Sequence, residues 1–194
     1  MSSVKKVLLY PFSIDCPYFE GYAWAMELAF RMRASLQLFT TISAGQKVKG
    51  STDSIYHSLL EAHGYFLQHY HQDGIKSNEV KHEACIILEG ELKEELISHL
   101  KTNPVNIVII DSSVISGANT GGVKEIVKES AGVILLSEDQ PSDDNMTHPS
   151  RADHFYDRLR RADLYKLPEN FFDTLGNDHS LFNYLRKFIQ RKRF

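Results

Sequence analysis

Apolar positions along the chain change their period several times, and each change marks an element. Residues 4–10, VKKVLLY, close two lysines with a compact apolar run, which predicts a strand ended by Pro11. Over 19–33 the spacing turns helical: Phe19, Tyr22, Ala23, Met26, Ala29 and Phe30 fall on one side, predicting a helix with that face on a sheet. Pro17 and Asp15 or Cys16 sit where a first helical turn and its cap belong. Residues 36–42 alternate as a strand, with Leu36, Leu38 and Thr40 against Gln37 and Phe39. A long helix follows at 52–71, with Ile55, Leu59, Ala62, Phe66 and Tyr70 as its stripe and Gly74 beyond its end.

The alternation repeats. Residues 82–88 read as a strand, 91–101 as a helix on Leu92, Glu95, Leu96 and Leu100, and 105–110 as a strand buried on both faces. Residues 123–130 read as a short helix and 133–136 as a last apolar strand. The order βαβαβαβαβ predicts an open parallel five-stranded sheet with helices on both faces.

The pattern then breaks. Residues 138–150, EDQPSDDNMTHPS, are polar and acidic with two prolines, which is linker composition. Beyond them 151–164 reads as a helix on Phe155, Leu159 and Ala162, broken at Leu167-Pro168. A second helix at 179–193 carries Leu181, Tyr184, Leu185, Phe188 and Ile189. The expected organisation is an α/β domain over 1–137, an acidic linker over 138–150 and a helical C-terminal arm over 151–194.

Candidate chemistry concentrates between 105–110 and 123–130. The loop 111–122 lies at the carboxyl end of the sheet, where open α/β folds take ligands. It holds Ser112, Ser113, Gly117, Thr120, Gly121 and Gly122, a set that could present N–H and hydroxyl donors to an anion or nucleotide. The plain alternative is a strand-to-helix connection capped by Asn119 or Thr120.

Other candidates are weaker. Cys16 precedes Pro17 at an expected helix start, where a dipole lowers a thiol pKa, but no helper cysteine or histidine is near it in sequence. His57, His63, His69 and His71 lie on one expected helix, yet no two are four apart, so a solvated face is expected rather than a metal site. Glu94 and Glu95 diverge around a helix, and Asp143 and Asp144 stand in the linker. No nucleophile triad, Walker motif or zinc-hydrolase motif occurs, so nothing argues positively for catalysis.

Composition narrows the partners. The chain has 194 residues, 42% of them hydrophobic and 24% charged, with a net charge of -3. That gives no reason to expect nucleic-acid binding, and no apolar run reaches the length of a membrane span or of a signal peptide. The two cysteines form no redox or metal motif, which makes a cytoplasmic setting the expectation. The terminal helix adds Arg186, Lys187, Arg191, Lys192 and Arg193 to its aromatic stripe. It could dock a protein partner or anionic lipid, or pack within the chain or across a dimer.

Three stretches carry a family resemblance. VKKVLLYPFS resembles the first strand of the universal stress protein family. EGELKEELISHLKTNPVNIVIIDSS is similar to its third-strand exit, third helix and fourth strand, and GGVKEIVKESAGVILLS to its last helix and strand. The resemblance spans residues 4–137 and none of the arm. It implies a flavodoxin-like, adenine-nucleotide-α-hydrolase-like sheet in the order 3-2-1-4-5, a homodimer, a role in stress response and, in many members, ATP binding.

The ATP signature of that family is Gly, two residues, Gly, nine residues, then Gly followed by Ser or Thr. Here its first two glycine positions fall on Asp111 and Val114, the spacer 115–120 is short, Gly121 matches, and Gly122 replaces the hydroxyl residue. The family's aspartate at the end of the first strand falls on Phe12, with Asp15 displaced. Asp111 would set a negative charge where phosphate should sit. Weak or no ATP binding is therefore expected, in a non-enzymatic binding or regulatory protein that needs no cofactor. The competing readings are an adenine-nucleotide switch that accepts ATP through a variant loop, and a flavin enzyme of the same fold.

Overall fold

A computed structural model describes residues 6–13, 19–42, 82–111, 114, 125–126, 128–136 and 162–167. Among them six strands form one sheet. They are β1 (Val7–Pro11), β2 (Ser35–Ile42), β3 (His82–Glu89), β4 (Ile107–Asp111), β5 (Val133–Leu136) and β6 (Asp163–Lys166), in the order β3-β2-β1-β4-β5-β6. The first five run parallel and β6 runs antiparallel to β5. This is the expected open flavodoxin-like sheet with one strand more than the sequence suggested.

Alternation along the central strands builds a core on each face. Leu8 and Tyr10 of β1, Leu36 and Leu38 of β2, and Ile107 and Ile109 of β4 pack with helix α1 (Phe19–Arg31). Their neighbours Leu9, Phe39, Val108 and Ile110 pack on the other face with Leu96 and Leu100 of helix α2 (Leu92–Thr102) and with Ile126. Glu125, Ile126, Lys128 and Glu129 are helical, inside the expected 123–130. Parallel strands covered on both faces read as continuous apolar runs, which is why β4 and β5 were plain in the sequence.

Polar groups fix the amino end of the sheet. The Asn106 side-chain oxygen accepts from the Val7 N–H at 2.7 Å, and the Asn106 backbone N–H donates to the Val7 carbonyl at 3.0 Å. Together they lock β4 beside β1. At the other end Gly90 leaves β3 with φ 143, a conformation open to glycine, and its N–H donates to the Ile42 carbonyl at 3.1 Å.

Helix α1 lays its expected face on the sheet, and the burial goes further: every residue from 21 to 29 is buried, including Trp24 and Leu28 on the side away from Met26. Two expectations need correction. Residues 163 and 164 do not close a helix; they open β6. The tetrapeptide DLYK alternates, and its Leu164 packs against the α1 core while Ala162, the last residue of the expected helical stripe, is fully buried there. Asp111 is the last residue of β4 rather than the first of the loop, because it pairs with Leu136.

Two further expectations, the long helix at 52–71 and the second arm helix at 179–193, lie outside the described residues, as do residues 151–161 of the first arm helix.

Candidate functional site

The sheet divides its connections between two faces at β1 and β4. From β1 the chain passes to α1 on one face; from β4 it passes to Ile126 on the other. Between two such strands the carboxyl ends part and leave a crevice, the usual ligand site of this architecture. Bridging between β1 and β4 is at Leu8↔Ile107 and Leu9↔Val108. Carrying that register onward sets Phe12 level with Asp111 at the carboxyl end.

Both residues face inward. Phe12 follows the last residue of β1 and is buried in the α1 core. Its N–H donates to the Phe39 carbonyl at 2.9 Å, and its carbonyl accepts from the Thr40 hydroxyl at 2.8 Å. Asp111 is 0% exposed. Strand alternation turns it to the same side as Ile107 and Ile109, the α1 side.

Aromatic side chains fill the space beneath. Tyr10 and Tyr22 lie with ring centroids 6.3 Å apart, and both are buried. Burial pushes the Tyr22 phenol well above its ordinary range, with the nearby Cys85 thiol adding to the shift. The phenol therefore stays neutral and belongs to the packing. Tyr10 and Phe12 lie buried in the α1 core beneath these strand ends, and Tyr22 packs on Tyr10.

The residues singled out for an anion or nucleotide, Ser112, Ser113, Gly117, Thr120, Gly121 and Gly122, lie outside the described residues, as do Cys16 and the four histidines at 57, 63, 69 and 71. The flanks of the loop are described. Asp111 ends β4 as above, and Val114, at the second glycine position, is helical and half-buried. The remaining cysteine, Cys85 on β3, is free. Its residue is exposed as a whole, yet burial of the sulfur pushes its thiol up, away from the thiolate that a nucleophile needs. Among the described residues no three His, Cys, Asp or Glu side chains converge as metal ligands, and no helix is long and apolar enough to cross a membrane.

Sequence reasoning placed Phe12 and Asp111 at this pole and Tyr22 on the stripe of α1 that faces the sheet, but missed the burial of Asp111.

No family model matches the chain, and no curated protein matches it. Solved structures do. The universal stress protein UspA from Lactobacillus plantarum is similar at 14% identity and a TM-score of 0.43, over 71% of this chain and 100% of that one. A hypothetical protein, PH0823, is similar at 20% identity and a TM-score of 0.35, over 70% of this chain and 99% of its own. A second, MJ0577, the subject of a structure-based assignment of biochemical function, is similar at 18% identity and a TM-score of 0.41, over 70% of this chain and 97% of its own.

Proposed function

We propose that this chain is a non-enzymatic binding or regulatory protein of the universal-stress-protein type, with a nucleotide site so altered that ATP binds weakly or not at all. The stress linkage comes from the resemblance over residues 4–137. The altered site rests on residues of this chain.

The observation that carries the reading is the pair at the head of the crevice: buried Phe12 after β1 and buried Asp111 at the end of β4. A nucleotide site of this kind approaches its triphosphate with backbone N–H groups, and glycine permits the close approach. Asp111 stands at the first of those glycine positions. A side chain at that position takes the space that glycine leaves to the phosphate oxygens. Phe12 stands where the resemblance would put an aspartate, and a phenyl ring accepts no hydrogen bond from a ligand hydroxyl or amine.

Calorimetric titration with ATP and magnesium tests this. No heat is expected from protein shown to be folded, and no adenine nucleotide should be released from purified protein on denaturation. A low-micromolar dissociation constant, abolished by Gly121→Val, would replace this reading with the adenine-nucleotide switch.

A further inference from the structure

Strand β5 would be an open edge of the parallel sheet if the chain ended with it. Its four residues, Val-Ile-Leu-Leu, carry no polar side chain. An unpaired apolar edge is a template for another strand. It is also self-complementary, because two copies can meet antiparallel about a two-fold axis with no charge to oppose them. The second copy is thus the natural competitor for this edge.

In this structure the edge is taken by the chain's own residues. β6 pairs antiparallel with β5 through Val133↔Lys166, Ile134↔Leu164 and Leu135↔Asp163. The register shifts between Val133 and Ile134, so Tyr165 is left over on β6, and it is 54% exposed. Such a bulge twists an edge away from further pairing. β6 is only four residues long, with Asp163 and Lys166 exposed at its ends. A short, charged and bulged strand is how sheets blunt an edge.

Two contacts outside the ladder hold β6 in place. Lys166 Nζ donates to the Ser130 carbonyl at 2.6 Å, just past the helical residues Lys128 and Glu129. Ala162, Leu164 and Leu167 pack against the α1 core. The chain also leaves β5 and enters β6 at the same end of the sheet, since Leu135 is level with Asp163. A connection between these two ends need not cross the sheet, and the effective concentration of a tethered strand outweighs a second molecule in solution.

We propose that β6 is an intramolecular edge guard. It keeps a second copy of this chain off β5, so the C-terminal segment sets whether the α/β domain extends its sheet into a dimer. A homodimer of the intact chain, which the family resemblance implies, must then use another surface.

The test has two arms. In a background with Cys16→Ser and Cys85→Ser, the facing pair Leu135→Cys and Asp163→Cys is oxidised and run without reductant. The expected product is a disulfide within one chain at every protein concentration. A disulfide between chains, or none on folded protein, overturns the proposal. The second arm is sedimentation velocity of Leu164→Pro, shown folded by circular dichroism. Its mass should double relative to the parent as concentration rises through the micromolar range. If it does not fold, Lys166→Met, which removes the pin and keeps the ladder, is read for the same shift. A folded variant that keeps the parent's mass throughout also overturns the proposal.

Discussion

The Thr40 hydroxyl donates a 2.8 Å hydrogen bond to the carbonyl of Phe12, and Thr40 is 0% exposed. The bond crosses from β2 to the residue that leaves β1, just past the ladder pair Pro11↔Phe39. It holds the chain end at the crevice so that the Phe12 ring turns into the core. Replacing Thr40 with Val keeps the shape and leaves a buried carbonyl short of a donor. We expect a loss of about 1–2 kcal/mol in urea unfolding. Phe12→Asp should lose more, about 3 kcal/mol, by removing a buried ring and burying a charge. It should not bring ATP binding in calorimetry, because Asp111 remains; measurable ATP heat from Phe12→Asp alone would show that Asp111 is no obstacle.

Helix α1 ends on an arginine in a glycine position. Arg33 has φ 51. Its N–H donates to the Phe30 carbonyl at 3.0 Å, and the Ala34 N–H reaches back to the Ala29 carbonyl at 2.9 Å. This pair of bonds is the Schellman arrangement, which asks for a left-handed residue at that point. Arg33 is exposed, so its side chain does little there to offset the strain. Arg33→Gly should therefore stabilise the fold by about 0.5–1 kcal/mol, the relief of the left-handed strain less the added freedom of the unfolded chain. A rise of a few degrees in the thermal midpoint is the readout, and a fall would mean that Arg33 holds a contact worth more than its backbone strain.

That helix also shows how far the sequence could be read. The strand-helix alternation, the order of elements and the apolar character of β4 and β5 follow from periodicity alone. The two-sided core follows too, since Leu8 and Tyr10 alternate with Leu9. All-round burial of α1 does not, because the stripe through Met26 satisfies the helical pattern and Trp24 and Leu28 look like scattered surface apolars. β6 is shorter than the window over which a period can be recognised, and Ala162 continues a helical spacing right up to it. Asp111 misled differently: an aspartate after an apolar run reads as a loop, but its backbone still had a partner in Leu136. At the candidate site the departures at Phe12 and Asp111 were legible as residue types, while their burial depended on neighbours distant in sequence.

Glu27 is the polar residue that the helical stripe concealed. It is 4% exposed and accepts from Arg31 at 2.8 Å through Nε, with Nη2 at 2.7 Å from the same oxygen. The two are one helical turn apart, and Arg31 is itself largely covered. A pair this far from water loses more when one partner is removed than the pair ever contributes. Arg31→Met should cost about 3 kcal/mol by removing the cation that faces this buried carboxylate, whereas the double change Glu27→Gln with Arg31→Met should recover part of that loss. Denaturant unfolding of the two single variants and the double variant reads the coupling. Additive losses would show that the ion pair is not what keeps Glu27 buried.

Acid should act on the other face of the sheet through His99. Its ring lies 5.3 Å from that of Phe39, centroid to centroid, and its Nε2 is shielded, with no hydrogen-bond partner among the described residues. The Asn103 amide nitrogen stands 3.1 Å from Nδ1, an arrangement that suits a neutral ring with Nδ1 as acceptor. Burial lowers the His99 pKa below its ordinary 6.5. The unfolded chain therefore binds the proton first as pH falls. The contribution of His99 is complete above 6.5 and is lost progressively below it, toward the lower folded value. His99→Phe keeps a ring against Phe39 and cannot titrate. The chain has nine histidines, so the informative quantity is the difference between the unfolding midpoints of parent and variant, followed as pH is lowered. That difference should be constant above about pH 7 and shift in favour of His99→Phe below pH 6.5. Parallel curves across the whole range would place the acid sensitivity of the fold elsewhere.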